Sequence, residues 1–564
     1  MLDKAARYWH TLRHLKAVQF YGRFWFRFYR PNPARLMLNA HMRLPLGAWQ
    51  LTAGRDVSMI SSSAFRFLNR THTLPTVGGW NDTALEKLWL YNLHYFDDLN
   101  AKGASARLDW HKTLIERWIS ENPPAVGTGW ECYPTSLRMV NWFKWLASGN
   151  EALTGMTSSL VLQAGWLAAR LEWHLLGNHL FANAKALVFA GLYFEGPLAA
   201  AWLATGLKII DQELPEQVLA DGGNFERSPM YHAIFLEDVL DLINAAQCWP
   251  GLVPDAQVAH WHETAERMLS WLKGMTHPDG EIALFNDAAF GVAPRVAELM
   301  AYAMRLCVVH GSTRRFTPRD DEATVIASKA RQFKPTVFHF ADSGYVRMQT
   351  HDAVAFLDVA PIGPDYLPGH AHADTLSFEL SVFNQRVVVN GGTSRYGLGP
   401  DRLLERGTAA HSTVEVAGTN SSEVWGGFRV ARRAYPMDLE VHADSGHVAC
   451  SHNGYTRLPG APVHRRAWQL NKDSLHVLDE VHGGEHSALA RYIFHPTIQI
   501  VAFDTNTWLL TLNGAQRLRL ITQAGQGWLE PASYAPEFGK QVQTQSLVVE
   551  LAAGVANVTF SWAK

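Results

Sequence analysis

From about Asp82 to Cys307, apolar residues recur three and four positions apart in segments such as TALEKLWLYNLHYFDDL, SLRMVNWFKWLAS, SLVLQAGWLAARLEWHLL and HAIFLEDVLDLINAAQCW. That period predicts helices. The connectors between them (GNEAL, ENPPAVGTG, LADGGNFERSP) are short enough to fold consecutive helices into stacked hairpins, a bundle or toroid. Near Lys334 to Phe338 the pattern changes to alternation and short β-branched runs, as in VFHFADSGYVRM, AVAFLDVA, TLSFELSVFNQRVVVNGG and RRAWQLNKDSLHVLDEV. These predict antiparallel strands, with a two-residue hairpin turn at Asn384 and Gln385. The fold class expected is therefore α+β and multidomain. A helical N-terminal extension (1–80) precedes a ring of helical hairpins (81–320) and an antiparallel β-sandwich (335–564), with the boundary in the polar stretch near 310–335.

Composition narrows the function. Lys and Arg number 50 against 52 Asp and Glu, a net charge of −2, so no global field favours nucleic acid as a partner. No Gly-rich loop follows a strand in the helical half, so neither a Walker nor a Rossmann nucleotide site, and no organic cofactor, is expected. Cys132, Cys248, Cys307 and Cys450 are far apart and read as core thiols. No apolar run is long enough for a transmembrane segment, and the start lacks the apolar stretch of a signal peptide. The expected location is the cytoplasm or the periphery of the inner membrane, with the periplasm as alternative. The stretch AVQFYGRFWFRFYRP mixes aromatics with Arg, as an interfacial helix does and as a helix packed on its own domain does; composition favours packing.

Candidate chemistry gathers in a few motifs. PGHAHAD places His370 and His372 two apart, so they share a face where the chain is extended, and NGGTSRY and RGTAAHSTVEV bring Asn390, Arg395 and His411 onto neighbouring loops. In the helical half, Asn178 and His179 open a helix, a position whose free N–H groups favour anions or simply make Asn178 an N-cap. Tyr231 stands in the first turn of another helix, just after a proline suited to that start. Trp130, Tyr133 and Arg138 offer stacking surfaces and a cation.

The motifs GNHL, SPMYH, GHAHADTLSFEL, NGGTSRY and RGTAAHSTVEVAG, in this order and spacing, resemble those of the heparinase II/III-like polysaccharide lyases, over roughly residues 80–500. The resemblance implies an incomplete (α/α) toroid followed by an antiparallel β-sandwich. It implies β-elimination on an acidic, uronate-containing polysaccharide, leaving an unsaturated uronate end. Asn178 and His370 match the residues that neutralise the uronate carboxyl group, Tyr231 the proton donor, and His179 the alternative base. His372, Asn390 and His411 match positions that hold zinc in some relatives; Asn390 replaces the usual Asp, which weakens zinc binding. Substrate contacts are expected from Trp130, Tyr133, Arg138 and Arg395. The alternative is a non-catalytic glycan-binding or exopolysaccharide or O-antigen assembly protein with the lyase fold. A glycosidase is disfavoured, because it needs two facing carboxylates and these motifs supply His, Asn and Tyr.

Overall fold

The computed structural model describes residues 2–36, 40–308, 334–512, 514 and 516–562. Nine α-helices lie between Lys87 and Arg305 among the described residues. Gly177–Tyr193 is the most enclosed of them. Every residue from Leu180 to Tyr193 is buried, because the helix packs against Cys132–Ala147, Pro197–Gln217 and Pro229–Cys248 at once. A helix surrounded in this way is mostly apolar on all sides, with Leu180, Phe181, Leu187, Val188, Phe189 and Leu192 contributing about 1.5–3 kcal/mol each. Its buried Asn183 and Lys185 are paired with Glu172 and with Asp238 and Asp241. Close approach to Pro197–Gln217 depends on Gly191, where a Cβ would fall 2.5 Å from Leu203 Cβ.

The β half holds antiparallel sheets of five, eight and four strands. The five-stranded sheet, from Thr336–Phe340 to Gln385–Val388, is covered on both faces. Val346, Met348, Ala355 and Leu357 join the core formed with the other two sheets, whereas Tyr345, Val354 and Phe356 pack with Trp271, Met275 and Phe285 of the helical half. Adjacent residues therefore point into two different cores. In the eight-stranded sheet, Val555–Trp562 lies between Ser474–His482 and Gln516–Ala524, both of which precede it in the chain.

Several expectations are corrected. Among the described residues of 1–80, helix is confined to Leu2–Leu12, Ala17–Phe28 and the short turn Pro33–Leu36; from residue 40 on the segment is irregular, apart from the hairpin of Ala64–Phe67 and Arg70–Thr73. The tight turn between Phe378–Val382 and Gln385–Val388 falls at Phe383 and Asn384, one residue early, because both residues take the positive φ (51° and 62°) that matches the strand twist. Cys307 is exposed, whereas Cys132, Cys248 and Cys450 are buried. Of the boundary expected at 310–335, all but residues 334 and 335 lies outside the described residues.

Candidate active site

Tyr231 owes its place to a helix start. Ser228 caps Pro229–Cys248, its Oγ accepting the Tyr231 backbone N–H at 3.2 Å, and Pro229 supplies the first-turn geometry. The same Oγ donates to the Asp287 carbonyl at 2.5 Å, tying the cap to the loop after the next helix. The Tyr231 ring then stacks on His370 of the β half, with ring centroids 3.8 Å apart, and its hydroxyl meets the Tyr396 hydroxyl at 2.9 Å. Helical and β halves thus meet at Tyr231.

Asp287 organises the β side. Its carboxylate accepts from His370 Nδ1 at 2.9 Å, from His372 Nε2 at 2.7 Å and from both terminal nitrogens of Arg402. Burial pushes this carboxyl up, but Arg402 and the two histidines outweigh it and hold it well below the usual carboxylate range. Arg402 in turn lies under Tyr396 and Phe428. The far nitrogen of His370 is 3.4 Å from Glu226, whose carboxyl is pushed up by burial.

Asn178 and His179 face this group from Gly177–Tyr193. The helix begins one residue before Asn178, so Asn178 is not its N-cap; its backbone N–H donates to the Glu226 carboxylate instead. Gly177 is required here, since its φ is 53° and a Cβ would sit 2.4 Å from Leu367 Cδ2. His179 Nδ1 lies 3.3 Å from Glu172, and its ring packs on Tyr133 at 4.4 Å. Burial lowers the His179 pKa, but Glu172 more than compensates and holds it above the ordinary imidazole value. Asn178, His179, Tyr133, Tyr231, His370 and Tyr396 are all half-buried, so they stay within reach of a ligand. For Tyr231, burial and then Tyr396 push the phenol well above its ordinary pKa. Tyr231 is therefore a phenol, not a phenolate, at neutral pH.

His372, Asn390 and His411 come together behind the site, all buried. Among the described residues no three His, Cys, Asp or Glu side chains form a metal-binding group, and at this place the third side chain is the amide of Asn390. The donor set still fits in part. His372 gives Nε2 to Asp287 and His411 gives Nδ1 to Asn390 Oδ1 at 2.6 Å, which leaves His372 Nδ1 and His411 Nε2 buried without partners. Burial keeps both rings neutral, with His372 lowered to about 4 and His411 well below its ordinary value. Two oriented imidazoles with open nitrogens suit a metal; Asn390, bonded to His411, stands behind one of them rather than beside it.

Two sequence models match this chain: "Heparinase II/III N-terminus" over residues 107–304 and "Heparinase II/III-like, C-terminal" over residues 334–563. The chain belongs to the heparinase II/III-like family. Curated members resembling it include a heparin-sulfate lyase of Bacteroides stercoris, 33% identical over 113 residues (20% of this chain, 17% of that protein). A heparin-sulfate lyase of Pedobacter heparinus is 25% identical over 253 residues (43% and 36%). The chain thus matches well under half the length of these relatives. The crystal structure of heparinase III superposes with a TM-score of 0.65 at 18% identity, over 87% of this chain and 80% of that one, which shows a common fold. That fold is the incomplete toroid of helical hairpins followed by antiparallel sheets.

Two of the expected substrate contacts of this family member are core residues instead. Trp130 is 4% exposed, packed between Trp118 and Trp166 with its indole N–H on the Asn122 carbonyl. Arg138 is fully buried, lying 3.7 Å above the Trp118 ring and bonded to Gln163. A mixed aromatic and basic sequence serves packing as readily as sugar binding, which is why spacing alone misassigns both. Tyr133 does reach the site. Arg395 is partly exposed and shared between Glu86 and Asp401. Sequence reading missed Asp287, Glu226, Glu172 and Arg402. Their one visible trace was the break in helical period at LFNDAAF, around Asp287.

Proposed function

We propose that this protein is a polysaccharide lyase that cleaves an acidic, uronate-containing polysaccharide by β-elimination. The observation that carries the reading is the stacking of Tyr231, a protonated phenol, on His370, beside the half-buried Asn178 and His179. The C5 proton of a uronate is acidic only when charge spreading onto its carboxyl group is stabilised. Asn178 and His370 supply the donors for that, with Glu226, whose carboxyl is pushed up by burial, beside them. His179, oriented by Glu172, takes the C5 proton; the C5 electrons form the C4=C5 double bond as the C4–O bond breaks, and Tyr231 protonates the departing oxygen. Tyr396 restores or orients the Tyr231 proton. General acid–base assistance of this kind is worth about 10² to 10⁴ in rate.

The names of the two curated relatives make heparan-type glycosaminoglycans the first substrates to try. Alginate and bacterial exopolysaccharides carry uronates too and complete the panel. The test is to incubate the protein with heparan sulfate, heparin, chondroitin, hyaluronan, alginate and exopolysaccharides and to follow the ultraviolet absorbance of the unsaturated uronate. Product from at least one of them is expected. Binding without product on every polymer would replace this reading with a glycan-binding protein.

We also infer that zinc is held by His372 and His411, with Asn390 orienting His411. Bound there, zinc would supply a structural cross-link and no step of the elimination.

A further inference from the structure

The helix Ala17–Phe28 is fixed to the protein along a narrow strip. Only Gln19 and Gly22 are buried. Gln19 donates to the Tyr366 carbonyl at 3.2 Å, Phe26 packs on His174 at 4.2 Å, and Arg170 donates to the Phe26 carbonyl at 3.2 Å. The expectation that this segment packs its aromatics inward is therefore overturned. Phe20, Tyr21, Phe24, Trp25 and Phe28 are exposed, Phe24 and Phe28 by 70% and 69%. At four-residue spacing (20, 24, 28 and 21, 25) these rings form one continuous stripe opposite the anchored strip.

Charge flanks the stripe. Residues 1–30 hold seven Lys and Arg against the single carboxylate Asp3, in a chain whose net charge is −2. All seven cations are exposed, and among the described residues only Lys16 is paired with a carboxylate, on Glu216. On the helix, Arg23 and Arg27 fall beside the aromatic stripe, between it and the anchored strip. Arg429, from the β half, lies close enough to Arg23 to repel its charge.

Three occupants compete for such a face. A second copy would bring one basic surface against another. An acidic sugar chain needs open ring faces and hydrogen-bond donors within the stripe, but Trp25 is stacked on Tyr29 at 4.7 Å and Phe24 packs on Phe28 at 4.6 Å, on a convex surface. An anionic bilayer satisfies both features, taking the aromatics into the headgroup–acyl boundary and the guanidinium groups at its phosphates. No helix among the described residues is long and apolar enough to cross a membrane, so the contact lies in the surface plane.

We propose that the Ala17–Phe28 helix docks the protein on an anionic lipid bilayer, with Tyr21, Phe24, Trp25 and Phe28 inserted and Arg23, Arg27 and Arg30 on lipid phosphates. The test is flotation of the full-length protein with vesicles of phosphatidylcholine alone or with about one third phosphatidylglycerol. Binding at least about 10-fold tighter to the anionic vesicles and weakened by added salt is expected. The variant F24S/W25S/F28S should lose at least about 10-fold in vesicle binding with an unchanged thermal melt. R27Q/R30Q, at exposed positions, should remove most of the preference for anionic lipid and serves if the triple variant unfolds. Equal flotation of parent and variants, or no flotation, overturns the proposal. So does a dimer in solution that F24S/W25S/F28S converts to monomer, or a loss of retention on immobilised acidic polysaccharide without loss of vesicle binding.

Discussion

The hydroxyl oxygens of Tyr231 and Tyr396 lie 2.9 Å apart, one carried by a helix of the toroid and the other by a loop of the β half. Either can be the donor, so a proton that Tyr231 gives away has an immediate source of replacement. Tyr231→Phe keeps the ring on His370 but removes that proton. Turnover is expected to fall at least about 10²-fold with little change in melting temperature. Tyr396→Phe should cost less, on the order of 10-fold, because it leaves the donor in place. Initial rates of unsaturated uronate formation by the two variants check the order; equal rates for Tyr231→Phe and parent would exclude Tyr231 as the acid.

The base should show itself in the pH profile. Glu172 raises the His179 pKa, and a general base works only when deprotonated, so activity should climb as pH rises through a value above 6.5. Glu172→Gln removes the raising charge, and the acid limb of kcat/KM should move to lower pH. A limb that stays in place would mean that His179 does not take the proton.

Asp287 is a stability prediction as much as a functional one. Asp287→Ala leaves Arg402 buried without its carboxylate, a loss expected to cost about 3–5 kcal/mol in urea unfolding. The folded-state pKa of Asp287 is depressed, so its stabilisation is present above the ordinary carboxylate pKa of 3.8 and is lost as pH falls through the lower folded value. Acidification should therefore destabilise the parent more than Asp287→Ala.

The zinc reading is checked by elemental analysis of protein prepared without chelator. About one zinc per chain is expected, lost in His411→Ala together with several degrees of melting temperature. Asn390→Asp should bind zinc more tightly, since a carboxylate accepting the His411 Nδ1–H makes that imidazole a more basic ligand. Absence of metal from the parent at full stability would remove zinc from the site.

The change from period 3.6 to period 2 was legible because most helices and strands keep one constant apolar side, and it located both halves. What pattern did not reveal was depth. Trp130 and Arg138 belong to a polar-aromatic run that looks like a sugar platform, and only the surrounding Trp118, Trp166 and Gln163, distant in sequence, make it core. The motif residues Tyr231 and His370 were found as separate signals, yet the group that joins them, Asp287, has no motif of its own. Its role arises from four partners between positions 370 and 402 and from Ser228, contacts that no local pattern encodes. The turn at Phe383 and Asn384 was missed by one residue because Phe is a rare occupant of positive φ.

The place of Val555–Trp562 between two strands that precede it bears on how the chain is made. While a ribosome is still adding residues, Ser474–His482 and Gln516–Ala524 each carry an open edge toward a gap. Two unpaired edges of nine residues are sticky templates for other nascent chains. The toroid can form as it emerges, but the β half closes only when this strand arrives, so premature stop codons shortly before residue 555 should yield aggregates rather than a shortened, working protein.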